Sequence, residues 1–218
     1  MKSGTKIISS LRSEYIAESL SEEDLSPDPF DQFEKWINES IKRELNIPNA
    51  MHLATVGSDC RPSGRIVLLK GFDERGFTFF TNYKSRKGNE LGVNNNASLT
   101  FFWSELFRQV RIEGEVYKLP SEESDSYFSE RPRESKLSAL ASAQSRPLKN
   151  KEFLDKKVME LDKKYKDQSI VRPDFWGGYY LSPSYFEFWQ GGAHRLHDRL
   201  VYKRDKKRKI WEVERLYP

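Results

Sequence analysis

The chain has 218 residues, with 37 Lys+Arg against 33 Asp+Glu for a formal net charge of +4, and is 32% charged and 37% hydrophobic. That length suits one domain with a real core, at roughly 100–200 residues per domain, and 14 Phe, 10 Tyr and 5 Trp are too many aromatics for a disordered chain, despite a mean hydropathy of −0.78. No apolar run approaches the ~20 residues of a membrane helix, the opening MKSGTKIISSLRSEY lacks the apolar stretch of a secretory signal, and the single Cys60 can form neither an internal disulfide nor a thiolate metal cluster, so a cytoplasmic protein is expected.

Residues 1–27 are polar, with Glu22, Glu23 and Asp24 clustered, and read as a mobile N-terminal arm ahead of a single domain over 28–218. Asp28-Pro29 is an N-cap residue followed by proline at the first helical position. Phe30, Phe33, Trp36, Ile37 and Ile41 then recur at helical spacing, predicting a helix through about Glu44. From Ala50 the texture turns to short β-type runs at 51–57, 65–72 and 76–82, punctuated by Gly57, Gly64 and Gly76; links this short favour antiparallel neighbours. Ser85 is placed to cap a short helix that ends in Asn94-Asn95-Asn96. Strands follow at 97–103 and 107–119, the second with Val110, Ile112 and Val116 on one face and Gln109, Arg111, Glu113 and Glu115 on the other. Residues 121–143 read as two short helices broken at Arg131-Pro132-Arg133, and 150–166 as an amphipathic helix carrying Phe153, Leu154, Val158, Leu161 and Tyr165. The runs WGGYYL, SYFEFWQ, RLVYKR and KIWEVERL return to strand. Without βαβ alternation, the expected fold is mainly β with peripheral helices (α+β), an antiparallel barrel or sandwich.

Three groups of residues carry possible chemistry. Arg65 and Lys70 flank IVLL at an odd separation, which in one strand puts them on opposite faces, and Ser85-Arg86-Lys87 opens a helix whose free N–H groups could cradle a phosphate. For the tripeptide alone a solvated cap with surface charges is the favoured reading. Tyr127 and Arg131, at i and i+4, offer with Ser135 two hydroxyls and a guanidinium to a phosphate monoester, although judged alone an exposed helix-breaking turn is favoured. In EFWQGGAHRLHDR a strand ends at Gly191-Gly192, and in an extended segment Arg195, His197 and Arg199 would share one face beside Trp189, suiting an anionic, planar ligand. His194 and His197 have no third ligand cluster, so no metal is expected. GxGxxG, GxxxxGK[ST] and GxSxG are all absent. A nucleic-acid partner would rest on charge alone. Yet KRDKKRK at 203–209 carries six basic groups and one acid, a surplus of +5 that leaves 31 basic against 32 acidic residues elsewhere.

Taken in order, RIVLLK (65–70), FFTNYKSRK (79–87), RQVRIEG (108–114), YFSERPRESK (127–136), SAQS (142–145), FWGGY (175–179) and FWQGGAHRLHDR (188–199) closely resemble the pyridoxamine 5′-phosphate oxidase family. The resemblance runs from the Asp28-Pro29 helix to the terminal RLYP. It implies an FMN-binding split barrel and a homodimer with FMN at the subunit interface, without nucleic-acid or membrane partners. The activity it implies is oxidation of pyridoxine 5′-phosphate or pyridoxamine 5′-phosphate to pyridoxal 5′-phosphate. Hydride passes from substrate C4′ to flavin N5, and O2 is reduced to hydrogen peroxide. Carried over by position, FMN would meet Arg65, Ile66, Val67, Leu68, Leu69, Lys70, Phe80, Thr81, Arg86, Lys87, Gln109, Gln144, Ser145, Trp189 and Arg199. The substrate would meet Lys70, Tyr127, Arg131 and Ser135 at its phosphate and Arg195, Leu196 and His197 at its ring, under a cover formed by Arg12, Ser13, Glu14 and Tyr15. The resemblance makes Arg195 and His197 the catalytic candidates, Arg195 for orientation and His197 for proton handling or support.

Overall fold

The structure is a computed structural model that describes residues 19–205 and 210–218. The expected cover residues Arg12, Ser13, Glu14 and Tyr15 lie outside the described residues. The chain divides into two compact units. Of the described residues, one takes those up to Pro48 together with Phe101–Arg111 and those from Tyr185 onward; the other takes Asn49–Thr100 and Ile112–Ser184. Among the described residues no helix is long and apolar enough to cross a membrane.

In the first unit, α1 (Pro29–Lys42) begins where Asp28 accepts a hydrogen bond from the Phe30 N–H at 2.8 Å. Phe33, Trp36 and Ile37 are buried as the helical period requires, whereas Ile41, expected on the same face, is exposed. Phe33 packs on Phe101, and Trp36 meets Phe188 edge-on. The hairpin of β8 (Asp198–Arg204) and β9 (Trp211–Arg215) adds antiparallel to the end of β7 (Trp176–Gln190). Part of the stretch expected as an arm is engaged in this unit: Leu20 is buried, its N–H donates to Asp198, and Arg215 pairs with Glu22.

The second unit holds β1 (Ala50–Val56), β2 (Pro62–Leu68), β3 (Gly71–Asp73) and β4 (Gly76–Asn82), with α2 (Arg86–Val93) and most of β5 (Asn96–Trp103) and β6 (Arg108–Lys118). It also holds α3 (Ser121–Glu130), α4 (Arg133–Ala141), α5 (Lys151–Lys164) and the first half of β7. The sheet runs β2-β1-β5-β6-β7-β4-β3. With five α-helices among the described residues of the chain, this is the mainly β, α+β antiparallel arrangement expected.

Two strand expectations are corrected. The run 65–72 is not one strand: β2 stops at Leu68, the Leu69 N–H donates to Asn49 and the Lys70 N–H donates to Thr78. The chain therefore changes partner between β1 and β4, and strand parity does not relate Arg65 to Lys70. Conversely, WGGYYL and SYFEFWQ form one strand of 15 residues straight through Pro183. A proline supplies no N–H to a ladder, but here the neighbouring strand carries Gly114, where a Cβ would lie 2.0 Å from the Ser182 carbonyl oxygen. The missing side chain lets the backbones approach.

Candidate functional site

A cavity of about 640 Å³ opens on the second unit, lined by Ile66, Val67, Leu68, Lys70, Phe80, Thr81, Lys87, Tyr127, Glu130, Arg131, Pro132, Ser135, Gln144 and Trp176. Segments distant in sequence meet there: the end of β2, β4, the first turn of α2, the α3–α4 junction and the start of β7. Ile66 and Leu68 are exposed on its wall. Its volume lies within the roughly 300–1,000 Å³ of small-molecule sites.

At the α2 side, Ser85 caps the helix by accepting from the Gly88 N–H at 3.3 Å. Gly88 is required there, since a Cβ would sit 2.2 Å from the Tyr83 carbonyl oxygen. The Lys87 ammonium donates to Thr81 Oγ1 at 3.2 Å and Gln144 Oε1 at 3.1 Å. Both are neutral oxygens, and among the described residues Lys87 has no carboxylate partner. Burial, then the charge of Arg65, pushes its pKa down, against a smaller opposing pull from Glu90.

Arg65 and Arg86 do not line the cavity. Arg65 donates to Leu53, Thr55 and Ser63, and both arginines pair with Glu90, at 3.2 Å from Arg65 and 2.8 Å from Arg86. Glu90 also accepts from Thr55 Oγ1 and Ser63 Oγ, each at 2.6 Å. Burial opposes its ionisation, but these four donors outweigh it and hold the carboxyl at about 2. Leu69 is buried, while Ser145, next to Gln144, is exposed in the left-handed region at φ 70°.

The α3–α4 junction supplies the other cation. The expected i, i+4 pair is altered, because α3 ends at Glu130 and Arg131 is extended (φ −68°, ψ 145°) ahead of Pro132. Tyr127, Arg131 and Ser135 nevertheless reach the same cavity, with Lys70. The Arg131 guanidinium lies 4.4 Å from the Trp176 ring centroid and 5.6 Å from that of Phe128. Its Nη1 is buried with no hydrogen-bond partner, and among the described residues it has no ion-pair partner. Burial lowers its pKa. Removing a cation from water without pairing it is costly, so an anion is what this donor lacks.

The remaining candidates belong to the first unit. Trp189 on β7 is in register with Arg199 on β8. The buried carboxylate of Glu187 accepts from Arg199 at 2.8 Å and from Arg111 at 3.1 Å, and raises the Arg199 pKa. Gln109 sits half-buried on β6. The extended segment expected through Arg195 is not present: Ala193–Arg195 is a 3-10 turn with His194 and Arg195 at φ 54° and 64°, so a period of two holds only from Asp198 onward. The turn exposes Arg195 and Leu196. It also folds the Gly192 N–H back to donate to His197 Nδ1 at 3.1 Å. Because Nδ1 accepts, the neutral ring carries its proton on Nε2. The imidazole lies 4.7 Å from the Trp189 ring centroid, and burial, then Arg195, lowers its pKa.

Sequence reasoning did not single out Glu90, Glu130, Pro132 or Trp176. Glu90 was legible as an i, i+4 partner of Arg86. Trp176 entered only within the FWGGY run at 175–179, with no role assigned to it.

Comparison with known proteins adds three findings. Residues 37–165 match the family described as "Pyridoxamine 5′-phosphate oxidase", and residues 176–218 match the "Pyridoxine 5′-phosphate oxidase C-terminal dimerisation region". Curated relatives named "Pyridoxine/pyridoxamine 5′-phosphate oxidase" from Cyanothece sp. and Janthinobacterium sp. are each 50% identical over 211 residues, covering 97% of this chain and 98% and 99% of theirs. Among solved structures, PhzG from Burkholderia lata, in complex with tetrahydrophenazine-1-carboxylic acid, is similar at 32% identity and TM-score 0.86, covering 93% of this chain and 99% of that one. A pyridoxamine 5′-phosphate oxidase-related, FMN-binding protein from Nostoc punctiforme, 18% identical, shares the fold at TM-score 0.70 over 89% of this chain and 100% of its own.

Proposed function

Since the chain belongs to the pyridoxamine 5′-phosphate oxidase family, we propose that it is an FMN-dependent oxidase that makes pyridoxal 5′-phosphate. Pyridoxine 5′-phosphate and O2 would give pyridoxal 5′-phosphate and H2O2; pyridoxamine 5′-phosphate, with water and O2, would give the same products and ammonia. The observation that carries this reading is the buried, unpartnered Nη1 of Arg131, in one cavity with Lys70, Tyr127 and Ser135. That donor set suits a phosphate monoester.

The residues present also fit FMN. Lys87 is a half-buried cation whose hydrogen-bond partners among the described residues are two neutral oxygens, and Ile66, Val67, Leu68 and Phe80 offer an apolar wall for a planar ring. When bound, FMN supplies the two-electron acceptor for C4′ of the substrate and passes those electrons to O2. Lys87, Thr81 and Gln144 would hold its phosphate, with Arg65 and Arg86 fixed behind them by Glu90 and contributing positive potential. Lys70, Tyr127, Arg131 and Ser135 would hold the substrate phosphate and so orient the reacting carbon. Arg195 is assigned to orientation of the substrate ring. His197, whose neutral ring accepts from the Gly192 N–H at Nδ1 and carries its proton on Nε2, is assigned to donating a hydrogen bond to the substrate, whose own proton leaves to solvent. The exposed Ile66 and Leu68 and the match to a dimerisation region support a homodimer with the cofactor between subunits.

The test is an anaerobic titration of the flavin-loaded protein with each phosphorylated vitamer. Bleaching of the flavin absorbance, followed by peroxide release on admitting air, is expected. A flavin that stays oxidised with both vitamers would overturn the assignment.

A further inference from the structure

Trp176 was not among the residues expected at the site, yet it is where the geometry around Arg131 converges. Its ring is buried and lines the cavity. Phe80, Tyr127 and Trp176 are near-parallel: Phe80 lies 3.8 Å from Tyr127 at 12° and 5.5 Å from Trp176 at 14°. The Arg131 guanidinium carbon lies 4.4 Å from the Trp176 centroid.

We propose that Trp176 is the positioning residue for Arg131, acting by cation–π stacking to aim Nη1 at the substrate phosphate and so setting the preference for phosphorylated over unphosphorylated substrates. Arg131 is held by little else. It is the C-cap of α3, with a longer contact to the Phe128 ring at 5.6 Å, and among the described residues no carboxylate pairs with it and Nη1 has no acceptor. A guanidinium with so few anchors would sample many rotamers, and a flat aromatic face restricts it to one plane.

The ring itself is fixed from behind. Arg172 donates to the Trp176 carbonyl at 2.7 Å, to Asp125 at 2.6 Å and to Ser121 Oγ at 2.7 Å, tying the start of β7 to α3, the helix that carries Tyr127 and leads into Arg131. Gly178 completes the fit, since a Cβ there would lie 2.8 Å from the Phe80 ring and push it off the stack. Ring and guanidinium are thus set by one local frame.

This inference rests on the reading of Arg131 as a phosphate ligand, and the experiment separates the two. Equilibrium binding of pyridoxal 5′-phosphate and of its unphosphorylated counterpart pyridoxal is measured for wild type, R131A, R131K, W176L, W176F and the double variants W176L/R131A, W176L/R131K and W176F/R131K, alongside steady-state KM and kcat. W176L should weaken pyridoxal 5′-phosphate about tenfold, the range of a partly desolvated cation–π contact, leave pyridoxal unchanged, and raise KM while kcat stays within about threefold. W176L/R131A should bind no more weakly than R131A, and exchanging Arg131 for Lys should weaken binding in wild type but not in the W176L background. W176F, which keeps an aromatic face, should lie close to wild type, and if W176L does not fold, the R131K penalty in the W176F background decides: it should persist. Unchanged affinity in R131A would refute the phosphate reading itself. Weakened binding in R131A with additive losses in W176L/R131A, or equal losses for both ligands in W176L, would overturn the role of Trp176 alone.

Discussion

Replacing Glu90 with Gln removes one charge from a carboxylate that accepts from Thr55, Ser63, Arg65 and Arg86. A carboxyl held at about 2, against an ordinary 4.5 in the unfolded chain, is linked to at most ~3 kcal/mol of stability at neutral pH. Arg86 is largely exposed, so solvent screens its share and about 2 kcal/mol is the expected cost. The amide aggravates the loss, because its NH2 group presents donors to donors. The folded pKa is depressed, so the contribution is complete above about pH 4.5 and disappears as pH falls toward about 2. Urea unfolding of the apoprotein should therefore show E90Q weaker by about 2 kcal/mol at pH 7, with the gap less than half as large at about pH 3. A gap under ~0.5 kcal/mol at pH 7, or one unchanged between pH 7 and pH 3, would refute this account of Glu90.

Other consequences are as direct. K87M should weaken FMN binding about 10–100-fold, the worth of a charge-assisted contact; flavin fluorescence quenching on titrating apoprotein measures it, and a change under twofold would count against Lys87 as a phosphate ligand. R195L should lower turnover on the order of 100-fold with flavin content nearly intact, so near-normal activity would remove Arg195 from the chemistry. Burial and Arg195 lower the pKa of His197, and the neutral ring is the working form, so the acid limb of kcat/KM should fall below pH 6.5; a limb centred above about pH 7 would contradict it. G88A forces a Cβ to within 2.2 Å of the Tyr83 carbonyl and should lower stability by about 2 kcal/mol or more, seen as a drop in the melting temperature.

Local signals made much of the fold legible. Asp28-Pro29 and Ser85 each mark a helix start because a side-chain oxygen there meets an orphan N–H, and each does so in the structure. Alternation marked the buried face of β6, Val110, Ile112 and Val116, because period two is a property of the strand itself. Lys87, Tyr127, Arg131 and Ser135 were nameable from their motifs, and they do share a cavity.

What sequence could not determine depended on neighbours distant along the chain. Whether 65–72 is one strand turned on Asn49 and Thr78 competing for its backbone, and the close approach of β6 to β7 at Ser182 and Pro183 needed the missing side chain of Gly114. The left-handed turn at His194 and Arg195 overrode an extended reading by folding the Gly192 N–H onto His197, which fixed its tautomer. Residue type and spacing thus determined which groups this protein brings to an anion. Tertiary packing decided their condition: Arg65 and Arg86 matched by a buried carboxylate, Arg131 stacked on Trp176 and, among the described residues, left without an ion-pair partner, because desolvation and pairing belong to the assembled surroundings of a charge.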